Sequence, residues 1–205
     1  QEQQKTQILT ETKGQEKAYE DLLASHQQTA AQLRNALFQL LGGSGTIPFP
    51  EAVSLAQYAG SKTGVSPALI LAILQQESNF GSNQGTCLVG DIQDGKSVMH
   101  PTRDAPIFLV IAADLGFDPS TQKVSCALTR SDGTRIGWGG AMGPLQFIPS
   151  TWAIYGGIVN TGGGWVYSKS DDAIRTLVGD ATPSNPYNKQ DAFMASALLL
   201  RDNGA

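Results

Sequence analysis

Histidine, cysteine and an excess charge of either sign are all scarce in this 205-residue chain. Its two histidines, His26 and His100, lie far apart, which leaves a Ser-His-Asp triad or a multi-histidine metal site without support. Two cysteines, Cys87 and Cys126, are too few for a disulfide scaffold or a thiolate zinc site. They can form one disulfide, which would imply an oxidising compartment, or remain as two buried thiols; spacing alone leaves both open. No apolar run approaches the ~18 residues of a membrane span. The longest, Ala68-Leu69-Ile70-Leu71-Ala72-Ile73-Leu74, has the length of a core helix. No basic segment followed by an apolar one opens the chain, so a secretion signal is expected to be absent from it. The net charge of -4, with no basic cluster, excludes a nucleic-acid footprint. Hydrophobic residues make up 40%, too many for a disordered chain. The length accommodates one ordinary domain plus an appendage, or two small domains.

What is present divides into two parts near residue 42. Residues 1–41 contain no proline and a single glycine, Gly14, and are dominated by Gln, Glu, Lys and Ala. Tyr19, Leu23, His26, Ala30, Leu33, Leu37 and Leu40 recur at alternating spacings of four and three, the seam of a coiled coil. This segment is expected to be one long helix that self-associates or meets a partner helix, as a spacer or dimerisation stalk. Residues 42–48, opening with Gly42-Gly43-Ser44-Gly45, read as a hinge. The domain proper is expected at 49–205.

That second part reads as mainly α. A first helix is expected at 49–61. Ser66-Pro67 supplies an N-cap and a proline at the first helical position of a strong second helix. Pro101-Thr102-Arg103-Asp104 opens a third that ends at Gly116, and Pro149-Ser150-Thr151-Trp152 opens a fourth. Two more are expected at 171–178 and 188–201. Strand signals are weak; residues 124–128 with the turn-like Ser131-Asp132-Gly133-Thr134 predict a small β-element.

Chemistry narrows to a few residues. The second part has only two glutamates, Glu51 and Glu77. Glu51 follows Pro50 at a helix start, where a solvated carboxylate favours the dipole, a structural role. Glu77 lies three residues after Leu74, four after Ile73 and seven after Ile70, which places it on the apolar face of its helix. A carboxylate there is expected to be half desolvated near the negative end of the dipole, conditions that favour the protonated form a general acid needs. Periodicity alone is better served by a capped acid at the edge of that face, because acids at helix ends are common. The second signal is Gly139-Gly140-Ala141-Met142-Gly143-Pro144-Leu145-Gln146-Phe147-Ile148-Pro149-Ser150-Thr151-Trp152. Its glycines allow close approach to a ligand, Gln146 can bond a sugar hydroxyl, and Trp138, Phe147, Trp152 and Tyr155 can stack on sugar faces. A turn-rich loop packed on a helix start has the same composition.

Glu77-Ser78-Asn79-Phe80-Gly81 followed by that string resembles a lytic transglycosylase with the lysozyme-like fold, in particular the membrane-bound lytic transglycosylase B group and related soluble cell-wall enzymes. Asn185-Pro186-Tyr187-Asn188-Lys189-Gln190-Asp191-Ala192 and the Ala/Leu-rich run after it are similar to the family's closing helix. The resemblance covers residues 46–205. It implies a mainly helical lysozyme-like domain with a small β-element, preceded here by the coiled coil. It also implies cleavage of the bond between N-acetylmuramic acid and N-acetylglucosamine in peptidoglycan, with closure of a 1,6-anhydro ring. Glu77 matches the single catalytic acid/base, and Ser78 the residue that orients it. Met142, Gly143, Gln146 and Phe147 match the glycan-contacting loop. Tyr155, Tyr187 and Asn188 are further candidates for the cleft; the family's Tyr-Asn pair beyond the closing helix has no counterpart before Ala205, and Tyr187-Asn188 is the candidate substitute.

The resemblance further implies an extracytoplasmic protein, secreted, periplasmic or wall-associated, and hence a Cys87–Cys126 disulfide pinning the insertion between Gly85 and Trp138. No cofactor is expected, and no metal, because Asp91-Ile92-Gln93-Asp94-Gly95 lacks the alternating acids of a calcium loop. Two other functions fit the same residues. One is a hydrolytic muramidase, which would need Asp91, Asp104 or Asp191 across the cleft to activate water. The other is a non-catalytic peptidoglycan-binding scaffold carried on the coiled coil.

Overall fold

In a computed structural model of the chain, the structure describes residues 47–90, 97–179 and 182–205. The coiled-coil helix expected at 1–41, all of the hinge except Ile47 and Pro48, and the Asp91-to-Gly95 stretch lie outside the described residues.

Helix α1 (Phe49–Thr63) begins behind Pro48, carries Glu51 in its first turn and Lys62 in its last, and buries Ala52, Ala56, Ala59 and Gly60. Those small residues make a stripe on which other helices can settle closely. Helix α2 (Pro67–Ser78) starts at Pro67 as expected and buries Ile70, Leu74 and Ser78. The Ser66 side chain makes no capping bond; its carbonyl instead accepts from the Leu69 and Ile70 amides. Strand β1 (Cys87–Leu88) pairs antiparallel with β2 (Lys123–Val124), with Cys87 opposite Val124. The Cys87–Cys126 disulfide closes beside that pairing across Cα atoms 5.0 Å apart.

Helix α3 (Ala105–Leu115) lies within the insertion, with Ile107, Phe108 and Ile111 in the core. The glycine-rich string then runs into α4 (Pro149–Ala153), a five-residue helix. Strands β3 (Gly156–Asn160) and β4 (Trp165–Asp172) form an antiparallel hairpin whose register shifts between Gly156 and Ile158. Helix α5 (Ala173–Val178) follows directly. Helix α6 (Lys189–Asp202) is the central element: every residue from Asp191 to Leu198 is buried. It packs on α1, α2 and α5.

The described residues are mainly helical, as the sequence implied, with two small sheets where it implied one small β-element, and three local readings need correction. The helix expected at 171–178 begins only at Ala173, because Asp171 and Asp172 belong to β4. The β3–β4 hairpin was not anticipated; its many glycines mask the alternation of Trp165-Val166-Tyr167-Ser168-Lys169-Ser170, which is a strand signal. The expected 124–128 strand shrinks to Lys123–Val124, while the Ser131–Thr134 turn does close a hairpin bridged at Thr129 and Arg135.

Candidate active site

Glu77 sits in the last turn of α2, one residue before the helix ends. Ile73, one turn earlier, points the same way, and the two line one side of a pocket of about 240 Å3. Opposite are Leu145, Gln146, Phe147, Ile148 and Thr151, from the glycine-rich string and the start of α4. Ser196, Leu199 and Leu200 of α6 complete the lining. The pocket is therefore a place where two segments about seventy residues apart in sequence meet over the central helix.

The half-desolvated carboxylate expected at Glu77 is corrected by the structure: the side chain is exposed. Leu74 and Ser78 form the fully buried stripe of α2, and Glu77 lies beside that stripe, at the pocket's edge. Ser78 is 1% exposed and does not aim at Glu77. Its hydroxyl accepts from the Gly81 amide at 2.8 Å and donates to the Leu74 carbonyl at 3.4 Å, so it ties off the helix end. Beyond it the backbone turns through Asn79, Phe80 and Gly81 at φ 49°, 55° and 77°.

The opposing loop is a tight turn. Met142 and Phe147 exchange backbone hydrogen bonds of 2.9 and 3.1 Å, which leaves Gly143 to Gln146 as the reversal. Gln146 holds the left-handed conformation at φ 51°. Its Nε2 donates to the Gly143 carbonyl at 2.7 Å, while Oε1 has no protein partner among the described residues. That pins the amide at the pocket with an acceptor still open. Phe147 is braced edge-on against Trp152, ring centres 5.6 Å apart, and Trp152 is wholly buried beneath it.

The remaining candidates do not line this pocket. Met142 is fully buried, and its backbone N–H and C=O are both taken by Phe147. Gly143 is buried against the Pro186 carbonyl, which a Cβ there would strike. Tyr155 is 5% exposed and donates to Asp202 Oδ2 at 3.1 Å. Tyr187 stands edge-on to Phe117 at 5.9 Å, and burial holds its hydroxyl well above the ordinary tyrosine pKa. Asn188 caps α6, its Oδ1 accepting from the Gln190 and Asp191 amides. All of these support the loop or the central helix from behind.

The acids required for a hydrolytic mechanism are also engaged elsewhere. Asp104 is wholly buried, accepting from Arg103 at 2.7 and 2.9 Å and from the Ser150 amide at 3.1 Å. Asp191 is buried against Arg175 and accepts from the Asn185 amide at 2.8 Å. Asp91 lies outside the described residues. Among the described lining residues, Glu77 is the single carboxylate. Glu51 is structural, paired with Lys189 Nζ at 2.9 Å across α1 and α6. No group of three metal-ligating side chains occurs among the described residues, and no described helix is long and apolar enough to cross a membrane.

Sequence reasoning missed Leu145, Ile148, Thr151, Ser196, Leu199 and Leu200 as pocket residues. Ser196, Leu199 and Leu200 follow the three- and four-residue spacing of one helix stripe, and a lone serine in an apolar helix was the available signal.

No family model matches the chain, and no curated protein matches it. Among solved structures it is similar to the lytic transglycosylase SltB1 of Pseudomonas aeruginosa, at 23% identity and a TM-score of 0.46, over 77% of this chain and 44% of that one. It is also similar to the Escherichia coli lytic transglycosylase Slt35 in complex with bulgecin A, at 24% identity and a TM-score of 0.45, over 78% of this chain and 46% of that one. A further Slt35 structure, in complex with calcium, matches at 23% identity and a TM-score of 0.45, over 83% and 52%. The chain thus spans about half the length of the solved chains it resembles.

Proposed function

We propose that the chain is a peptidoglycan lytic transglycosylase, with Glu77 as its one general acid/base. The observation that carries this reading is the meeting of Glu77 with Gln146 and Phe147 in one pocket, where no second carboxylate is found among the described lining residues. These are the residues through which the sequence resembles the family. A two-carboxylate glycosidase places its second acid within about 5–10 Å of the first. Here both described candidate acids hold the fold together instead.

The chemistry then balances with one group. Glu77 gives its proton to the glycosidic oxygen as that bond to the muramoyl C1 breaks. The muramoyl 6-hydroxyl attacks C1, Glu77 takes its proton, and a 1,6-anhydro ring closes without water. A glycan lying on Ile73, Leu145 and Phe147 excludes water from the carboxyl, supplying on binding the desolvation that the open pocket lacks. Gln146 Oε1 accepts from a sugar hydroxyl and fixes the ring against the acid.

The test is digestion of purified sacculi by the full chain and by Glu77→Gln, with products read by mass spectrometry. Fragments ending in 1,6-anhydro-muramic acid, absent for the variant, are expected. Reducing-end fragments would instead mean a hydrolase. No fragments from either protein would leave a glycan-binding scaffold. Action on wall glycan places the protein outside the cytoplasm, consistent with the Cys87–Cys126 disulfide.

A further inference from the structure

No described residue of the insertion between Gly85 and Trp138 lines the Glu77 pocket, yet the insertion holds one arm of the loop that does. That arm is Gly139-Gly140-Ala141, which runs into Met142 and the turn presenting Gln146. Its three amides all donate to the insertion: Gly139 to the Val98 carbonyl at 2.8 Å, Gly140 to the Ser125 carbonyl at 2.9 Å, and Ala141 to Ser125 Oγ at 2.9 Å. The Ser125 amide in turn donates to the Ala141 carbonyl at 2.9 Å. The first two amides use backbone acceptors that any residue supplies. The third uses a side chain, and an alanine at 125 would leave the N–H of the buried Ala141 without that acceptor.

Ser125 is itself held in place. A Cβ on Gly139 would lie 2.3 Å from the Ser125 carbonyl oxygen, and one on Gly85 would lie 2.1 Å from the Val124 carbonyl. Backbone therefore packs directly on backbone along this segment. Val124 pairs with Cys87 in the β1–β2 sheet, and the disulfide secures Cys126 to the same Cys87. Ser125 stands between a paired residue and a cross-linked one. On the pocket side, Met142 exchanges hydrogen bonds with Phe147, and Gln146 Nε2 closes onto the Gly143 carbonyl. A displacement at Ala141 thus passes across one peptide bond into the turn that carries Gln146.

We infer that Ser125 is a positioning residue for the pocket: its hydroxyl fixes the Ala141 amide, and through it the turn that presents Gln146, while the Cys87–Cys126 disulfide keeps Ser125 in register. This rests on the reading of Gln146 as the group that holds glycan beside Glu77. The insertion is then a brace for the site.

The test compares the full-length chain with its Ser125→Ala and Ser125→Thr variants. The first readout needs no substrate. In the amide NMR spectrum, Ser125→Ala is expected to shift the backbone and Nε2 resonances of Gln146 and to leave those of α1 in place. Ser125→Thr, which keeps the hydroxyl, should restore them. Cys87→Ser with Cys126→Ser should shift the same Gln146 resonances. The second readout is the rate of fragment release from sacculi at limiting substrate. Ser125→Ala should lower it about fivefold, the worth of one hydrogen bond, and Ser125→Thr should recover it. In a Gln146→Ala background the serine should no longer matter, whereas a role confined to folding would cost the same in both backgrounds. Gln146 resonances unmoved by Ser125→Ala, or losses that simply add to those of Gln146→Ala, would each overturn the inference. Resonances unmoved by the cysteine pair would overturn the part given to the disulfide. Failure of the catalytic reading is seen separately: wild type that releases nothing from sacculi defeats that reading, and the Gln146 resonances still decide whether Ser125 positions the turn.

Discussion

Two backbone positions beside the pocket show how little freedom single residues have. Asn79 adopts φ 49° at the C-cap of α2, with Gln75 Nε2 bonded to its Oδ1 at 2.9 Å. Asparagine tolerates this region and β-branched residues do not. Asn79→Val is therefore expected to cost about 2 kcal/mol in urea unfolding, and Asn79→Gly to stay within about 0.5 kcal/mol of wild type. Equal losses would mean that the Gln75 bond, not the backbone, decides. Gly143 combines φ 65° with a Cβ direction blocked by the Pro186 carbonyl. Gly143→Ala should cost at least about 2 kcal/mol, read by calorimetry, and displace Gln146, which on the proposed function would also lower sacculus cleavage. That Glu77 shares a side of α2 with Ile73 was legible from their four-residue spacing. The exposure of Glu77 was not, because one helix cannot say whether a neighbour covers its edge.

Among the elements, the β3–β4 hairpin and α5 hang on one buried acid. Asp172 Oδ1 accepts from the Arg175 amide at 2.9 Å, capping α5; Oδ2 accepts from Tyr167 Oη and the Ser184 amide, both at 3.1 Å. Asp172→Ala leaves three donors without an acceptor and is expected to destabilise by about 3 kcal/mol. Burial, then the Asp172 charge, then their hydrogen bond push the Tyr167 pKa from its ordinary 10.0 to about 12. Below pH 10 both folded and unfolded chains keep that proton. Between pH 10 and 12 the unfolded chain releases it and the folded chain does not, so stability falls as pH rises through this window. The melting temperature of Tyr167→Phe should therefore fall less steeply than that of wild type across it. Parallel curves would contradict the assignment. Asp104 plays a similar part for α4, holding the Ser150 amide beneath the helix that carries Thr151 to the pocket.

At the scale of the whole molecule, the disulfide joins residues 39 apart and ties β1 to the segment supporting Gly139 and Gly140. Closing a loop of that length stabilises by up to about 4 kcal/mol through the unfolded chain. Reduction, or Cys87→Ser with Cys126→Ser, is expected to lower the urea midpoint accordingly; an unchanged midpoint would mean that the sheet and α3 already order the insertion. The Glu51–Lys189 pair bridges α1 and α6 but is about 40% exposed on both sides. Lys189→Met is expected to change stability by less than about 1 kcal/mol.

Local chemistry determined much of the rest before any fold was known. Prolines opened α2 and α4 where the sequence placed them, Gly116 ended α3, and the glycine-rich string read as a close-approach loop. Those features depend on φ restriction and on hydrogen bonds within a few residues, so they are written locally. Tertiary structure decided which side of the loop faces the pocket. Met142 and Gly143 turned inward, with their backbone groups taken by Phe147 and Gln146, while Leu145 to Ile148 line the pocket. It likewise turned Tyr155, Tyr187 and Asn188 into supports of the core and recruited Ser196 and Leu199 from a helix more than a hundred residues from Glu77. Burial and pairing across such distances arise only when separate elements meet, and no spacing along one element contains that information.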